Sequence, residues 1–165
     1  MTMNSQELRS LNRAAAGGTP ALAIVARPKD GVWFDVVPGQ CATVRIPSEL
    51  VGGRYTIMEH DIAPQAGPPL HSHIEEEVFV VLEGVLTFVH GDERFEGAAG
   101  TIVVIPAGMP HTWANLSGKR ARMRTMFTPG GIEKLFSNLA GLGPDEFVAL
   151  AETFGSKILG PGLAA

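Results

Sequence analysis

Two stretches decide how this chain folds: GPPLHSHIEEEVFVVLEG at residues 67–84 and GTIVVIPAGMPHTWAN at residues 100–115. Each sets histidine near a run of β-branched residues and brackets that run with glycine and proline. In an extended chain, residues i and i+2 face the same side. His71 and His73 therefore project together, as two imidazoles on one metal must. Glu77 lies an even step further and leads the Val78–Leu82 run, so its carboxylate can reach the same point across a hairpin or bend. His111 precedes a second short run, with Trp113 and Asn115 on its face. Three neutral imidazoles and one carboxylate make a hard-to-borderline N/O donor set. It suits Fe(II), Mn(II), Ni(II), Co(II), Cu(II) or Zn(II), and suits Ca(II) or Mg(II) poorly. Four protein ligands on an octahedral ion leave two positions for water or substrate, whereas a four-coordinate structural zinc is closed. An H-x-H pair alone is weak evidence, and Glu75-Glu76-Glu77 alone reads as a solvated face. The joint pattern carries the reading.

The flanking sequence repeats the β pattern. From about Ala21 to Thr128, Gly, Pro or Asp cuts apolar runs every 8–12 residues. Strands are expected over Val32–Val37, Ala42–Ile46, Tyr55–Ile62, Val78–Leu82, Val85–Val89, Arg94–Glu96, Thr101–Ile105, Thr112–Ala114 and Ala121–Phe127. Glu83-Gly84 and the residues from His90 to Glu93 read as turns. Many short strands without intervening helices point to a sandwich or closed barrel. Residues 1–20 are polar and Ala/Gly-rich, and read as a flexible or partly helical segment, the helix running from Ser5 to about Ala16. Residues 21–129 form the barrel, and residues 130–165 a C-terminal pair of helices packing on it. Ile132, Leu135, Phe136 and Leu139 recur at helical spacing until Gly141. Pro144, Asp145 and Glu146 open a second helix, with Phe147, Leu150, Ala151 and Phe154 as its apolar stripe.

Composition sets the outer bounds. At 165 residues, 45% hydrophobic and 18% charged, the chain has the size and apolar content of one ordinary domain. Its net charge of −4 argues against a nucleic-acid partner. A single cysteine, Cys41, rules out an internal disulfide or a Cys-rich zinc finger. No run approaches the ~18 apolar residues of a membrane span. The longest early one, Ala21 to Ala26, is too short for a secretory core, so a cytoplasmic protein is expected.

The paired segments resemble the two motifs of the cupin family. Its first motif, G-x5-H-x-H-x3–4-E-x6-G, is met by His71, His73, Glu77 and Gly84. Its second, G-x5-P-x-G-x2-H-x3-N, is met by Gly100, Pro106, Gly108, His111 and Asn115. One position departs: the glycine expected at 65 is Gln65, and a glycine stands at 67 instead. The exit through Thr128-Pro129-Gly130-Gly131 and the tail from Phe154 to Pro161 are similar to small single-domain cupins grouped with quercetin dioxygenases. That resemblance implies a double-stranded β-helix barrel, one divalent metal held by His71, His73, Glu77 and His111, and often a homodimer.

Other residues complete the expected site. Glu59 and His60 lie on the strand before the first motif, where one of them faces inward. Glu59 is the better candidate for acid–base work beside Glu77, although parity alone leaves open which set faces in. His60 and His90 read as ordinary turn or surface histidines. Phe79 and Trp113 share parity with ligands and, with Met109, are candidate pocket walls. Arg120, Arg122 and Arg124 give one strand a basic face; turned inward, Arg124 anchors an anionic substrate. Turned outward, it is an ordinary charged face. The expected activity is that of a metal-dependent, dioxygenase-like enzyme on a small flavonol- or diketone-like molecule. Isomerase, cyclase or lyase chemistry, or plain small-molecule binding, remains open.

Overall fold

The computed structural model describes residues 23–164, so the helix expected from Ser5 to about Ala16 lies outside the described residues. The β-branched and aromatic runs pair as two antiparallel sheets. In chain order the strands are β1 (Phe34–Val37), β2 (Gln40–Ile46), β3 (Thr56–Ile62), β4 (Leu70–Ser72), β5 (Glu76–Glu83) and β6 (Val85–His90). They continue as β7 (Glu93–Ala98), β8 (Ile102–Ile105), β9 (His111–Ala114), β10 (Ala121–Thr128) and β11 (Lys157–Gly160). One sheet has the order β1-β2-β3-β10-β5-β8, the other β11-β4-β9-β6-β7. This is the mainly β, double-stranded β-helix barrel that the sequence leads one to expect. Every expected strand forms, with ends moved by at most two residues.

Alternation along the strands sets what faces in. In β10, Ala121, Met123, Thr125 and Phe127 are buried, while Arg122, Arg124, Met126 and Thr128 between them are not. In β5, Glu77, Phe79 and Val81 are buried on the same rule. The buried apolar residues form two clusters. One gathers Phe79, Leu86, Phe88, Trp113 and Met123; the other gathers Val36, Met58, Phe127, Ile132 and Leu135. Gly84 turns β5 into β6 with φ +78°, and a Cβ there would lie 3.0 Å from the Ala121 backbone. Glycine is what that corner requires.

The C-terminal stretch differs from expectation in two ways. The first helix shrinks to a single turn, α1 (Glu133–Phe136). Beyond it the backbone bonds tighten to three-residue spacing, with Asn138 donating to Leu135 O and Leu139 to Phe136 O, before Gly141 turns at φ +78°. Glu133 pins this turn to the barrel, accepting from Ser48 N at 2.9 Å, Ser48 Oγ at 2.6 Å and Gly131 N at 2.9 Å. The second helix, α2 (Pro144–Thr153), starts where proline and the acidic turn place it. Glu146 accepts from the Gly143 N–H at 2.9 Å.

The second difference is β11. After Gly155 the tail runs back as a strand and pairs antiparallel with β4, setting Ile158 opposite His71. Residues 130–164 therefore hold helices plus a strand of the second sheet. Neither β4 nor β11 has the length or alternation that marks a strand in isolation; β4 forms between β9 and β11, and β11 forms against β4. No helix among the described residues is long and apolar enough to cross a membrane.

Candidate metal centre

β4 and β9 pair with His71 directly opposite His111, so two of the three histidines meet as cross-strand neighbours. His73 follows β4 immediately, its carbonyl accepting from the Gly108 N–H at 2.7 Å, which ties the two motif loops together. One ring nitrogen from each of His71, His73 and His111 comes within 4.8 Å of the others. Each Nδ1 meets a backbone carbonyl: His71 with Pro69 at 2.8 Å, His73 with Glu75 at 3.0 Å, and His111 with Met109 at 2.8 Å. Those bonds place a proton on Nδ1 and turn the Nε2 edges toward one another, the tautomer a ligating histidine needs.

Glu77 completes the group from the other sheet. Its Oε2 lies 3.2 Å from His73 Nε2 and 3.3 Å from His111 Nε2. Burial alone would raise its pKa, but the hydrogen bonds from His111 and His73 outweigh burial and hold it down to about 2. Burial, with His111 beside it, pulls His71 down to about 4. His73 goes the other way: burial lowers it, yet the carboxylates of Glu75 and Glu77 outweigh that and raise it to about 9. The cluster is thus a carboxylate facing imidazoles that need a shared cation, and a proton or a metal ion can serve. Three imidazole nitrogens and one carboxylate fit a divalent transition ion. Behind them, Glu75 Oε2 is buried without a hydrogen-bond partner, 3.4 Å from His73 Nδ1.

A cavity of about 70 Å³ opens beside this group, with His71, His73 and Glu77 in its wall. Ile132, Leu135 and Phe136 from the α1 region, Phe147 and Ala151 from α2, and Ile158 from β11 close it. The C-terminal stretch therefore covers the mouth of the barrel. Of the expected pocket walls, Trp113 lines the cavity. Phe79 is buried in the first core cluster, its ring 6.2 Å from that of His111. Met109 packs against that cluster and supplies the carbonyl for His111.

Glu59 and Arg124 do not reach the cavity. Both sit on the outer face of the first sheet, paired across β3 and β10. Glu59 Oε1 accepts from Arg124 at 2.6 Å and its Oε2 from Arg122 at 3.1 Å. The expected acid–base group and the expected anion anchor are thus partners in one outer ion-pair cluster. The inward residue is His60, 1% exposed and in the cavity wall. Gln40 Nε2 lies 3.0 Å from its Nδ1, and Thr125 Oγ1 lies 3.0 Å from its Nε2. Sequence reasoning missed all three. A signal was present: Glu59 and Asp61 share one parity, and Met58 and Ile62 share the other with His60.

Residues 58–128 match the family described as the cupin domain. The fold is similar to that of KdgF from Halomonas sp., at 16% identity and TM-score 0.61, over 68% of this chain and 99% of that one. It is also similar to the polyketide cyclase RemF from Streptomyces resistomycificus, at 19% identity and TM-score 0.59, over 76% and 91%. A cupin 2 conserved barrel domain protein from Salinispora arenicola aligns at 19% identity and TM-score 0.55, over 80% and 99%. The matched stretch and these folds support the cupin family. Among curated proteins, none matches the chain. At such identities the likeness speaks to fold alone. In this chain the one departing motif position keeps its backbone: Gln65 takes φ +57°, and its N–H donates to Asn115 O at 2.7 Å. Gly67 is needed for a different reason, since a Cβ there would lie 2.2 Å from Trp113 O.

Proposed function

We propose that this cupin binds one divalent transition metal through His71, His73, His111 and Glu77, and acts on a small, mostly apolar, enolisable molecule by dioxygenase-like chemistry. The observation that carries the reading is the convergence of three histidine ring edges and one carboxylate, of which His71, His73 and Glu77 stand in the wall of a mostly apolar cavity. When bound, such an ion polarises a substrate oxygen as a Lewis acid and, if redox-active, brings oxygen chemistry within reach. The protein's part is orientation and dryness. Apolar residues of α1, α2 and β11 shield the cavity from water, and no Lys or Arg among the described residues lines it, which favours a substrate uncharged away from the centre. Its size is bounded as well. Sites for drug-sized ligands run from about 300 Å³ upward, which favours a compact diketone over a flavonol in about 70 Å³.

A second reading rests on Glu77. Its carboxylate shares the cavity wall with His71 and His73, and released from the metal it is placed to take a proton from a substrate bound there, which supports isomerase, cyclase or lyase chemistry. Metal analysis of protein purified without added metal, with oxygen uptake on a diketone panel, separates the two. Stoichiometric iron, manganese, nickel or copper with oxygen consumption supports the oxygenase. Tightly held zinc without oxygen consumption moves the assignment to acid–base chemistry.

A further inference from the structure

The motif ligands occupy one part of the cavity wall. Another part holds a second polar group, built from three neighbouring strands. Gln40 on β2, His60 on β3 and Thr125 on β10 are 3%, 1% and 1% exposed, and all three line the cavity. Around them the wall is hydrocarbon, with Phe136 meeting the His60 ring edge-on at a centroid distance of 5.8 Å. Three polar side chains in such a wall are costly unless their hydrogen bonds are met.

The bonding pattern has a direction. With the Gln40 amide nitrogen 3.0 Å from Nδ1, that ring nitrogen accepts and Nε2 carries the proton. Nε2–H then donates to Thr125 Oγ1 at 3.0 Å. The hydroxyl is thereby used as an acceptor and retains its own proton to give. Among the described residues, Thr125 Oγ1 has no hydrogen-bond partner besides His60.

We propose that Thr125, held by His60 and Gln40, is a substrate-binding hydroxyl that donates to a second, metal-remote oxygen of the substrate. The preferred substrates are then compact, uncharged molecules with two oxygen functions: one for the metal centre, one carbonyl or ether acceptor for Thr125. Burial keeps His60 neutral, with its pKa pulled down to about 4, so the relay holds one polarity through the physiological range. Thr125 is the specificity-determining residue, and His60 and Gln40 position it. The inference rests on the proposed metal-dependent function, and its test is built to fail separately.

The test uses metal-loaded protein and two probes of matched shape, 3-acetylpentane-2,4-dione and 3-isopropylpentane-2,4-dione, with binding followed by calorimetry. The two differ at one branch of the central carbon, where the isopropyl probe carries a methyl and a hydrogen in place of the carbonyl oxygen. Their intrinsic difference in acidity is common to every variant, so the quantity read is the change in preference between variants. Thr125→Val should reduce the wild-type preference for the acetyl probe by about tenfold, the scale of one neutral hydrogen bond and the penalty of leaving its partner unpaired. Thr125→Ser keeps a hydroxyl and should keep the preference, which separates hydroxyl loss from misfolding. Metal content should be the same in all three proteins. A preference unchanged in Thr125→Val, or lost equally in Thr125→Ser, overturns the role of Thr125 and leaves the metal-dependent function standing. Binding of neither probe by metal-loaded wild type overturns both.

Discussion

The cavity has two polar groups, and they are assembled differently. The metal group draws on residues spaced by two and four along one segment, plus one histidine fixed in a second motif loop. The Gln40–His60–Thr125 group draws one residue from each of three strands, separated by 20 and 65 positions in sequence. Spacing along the chain is enough to reveal the first. Only sheet register assembles the second, and register follows from which face of every strand is buried. Local motifs advertise chemistry; the residues that select the substrate need not.

The sharpest test of the first group is removal of a ligand. His73→Ala or His111→Ala should lower metal affinity by more than about 100-fold, beyond what loss of a mere supporting partner costs. Circular dichroism verifies folding, and metal content after dialysis is the readout. Wild-type content in either variant would mean the metal is held elsewhere. Because ligating imidazoles must be neutral, metal retention should also fall as pH drops below about 6. Retention unchanged at pH 4.5 counts against histidine ligation.

The second group predicts a pH effect of its own, read on metal-stripped protein. An unfolded imidazole takes up a proton near pH 6.5, but His60 in place does so only near pH 4. Between those values the unfolded chain binds more protons, so His60 destabilises the fold progressively as pH falls from 6.5 toward 4. The contribution is fully present above pH 6.5, and its loss amounts to at most about 3 kcal/mol. A His60→Gln variant should show a flatter dependence of denaturation midpoint on pH across that window. An equally steep dependence in the variant would mean His60 is not the buried neutral group described.

How far the sequence could be read follows the same division. The barrel strands, the helix beginning at Pro144 and the convergence of His71, His73, His111 and Glu77 were legible, since each rests on a local period or a fixed spacing. β4 and β11 were not, because β4 is three residues held between β9 and β11, and β11 has β4 as its strand partner. Glu59 was preferred for acid–base work with the inward face of its strand left open, and it lies outside. Yet Glu59 and Asp61 on one parity of β3, against Met58 and Ile62 on the other, already marked the outer face. Counting charges per face, ahead of asking which residue could do chemistry, would have chosen His60. Thr125 carried the same mark, since it lies opposite the Arg122 and Arg124 face of its strand; Gln40 carried none, and only the register of β2, β3 and β10 brings the three side chains together.

The smallest predicted effect tests that outer face. Arg124 is about half exposed, and its bond to Glu59 competes with water, so Arg124→Ala should cost no more than about 1 kcal/mol of stability. It should leave probe binding and metal content at wild-type values. Glu59→Gln should cost more, about 1–3 kcal/mol. Its carboxylate is buried and also faces Arg45, a guanidinium with 8% side-chain exposure that would lose its charge partner. The order of the two costs is the informative quantity, since both residues belong to one ion-pair cluster and differ mainly in burial. Were Arg124→Ala instead to weaken binding of a diketone tenfold, the basic face of β10 would have to reach the substrate. The contrast between an outer face that holds the sheet and an inner face that holds the ligand would then collapse.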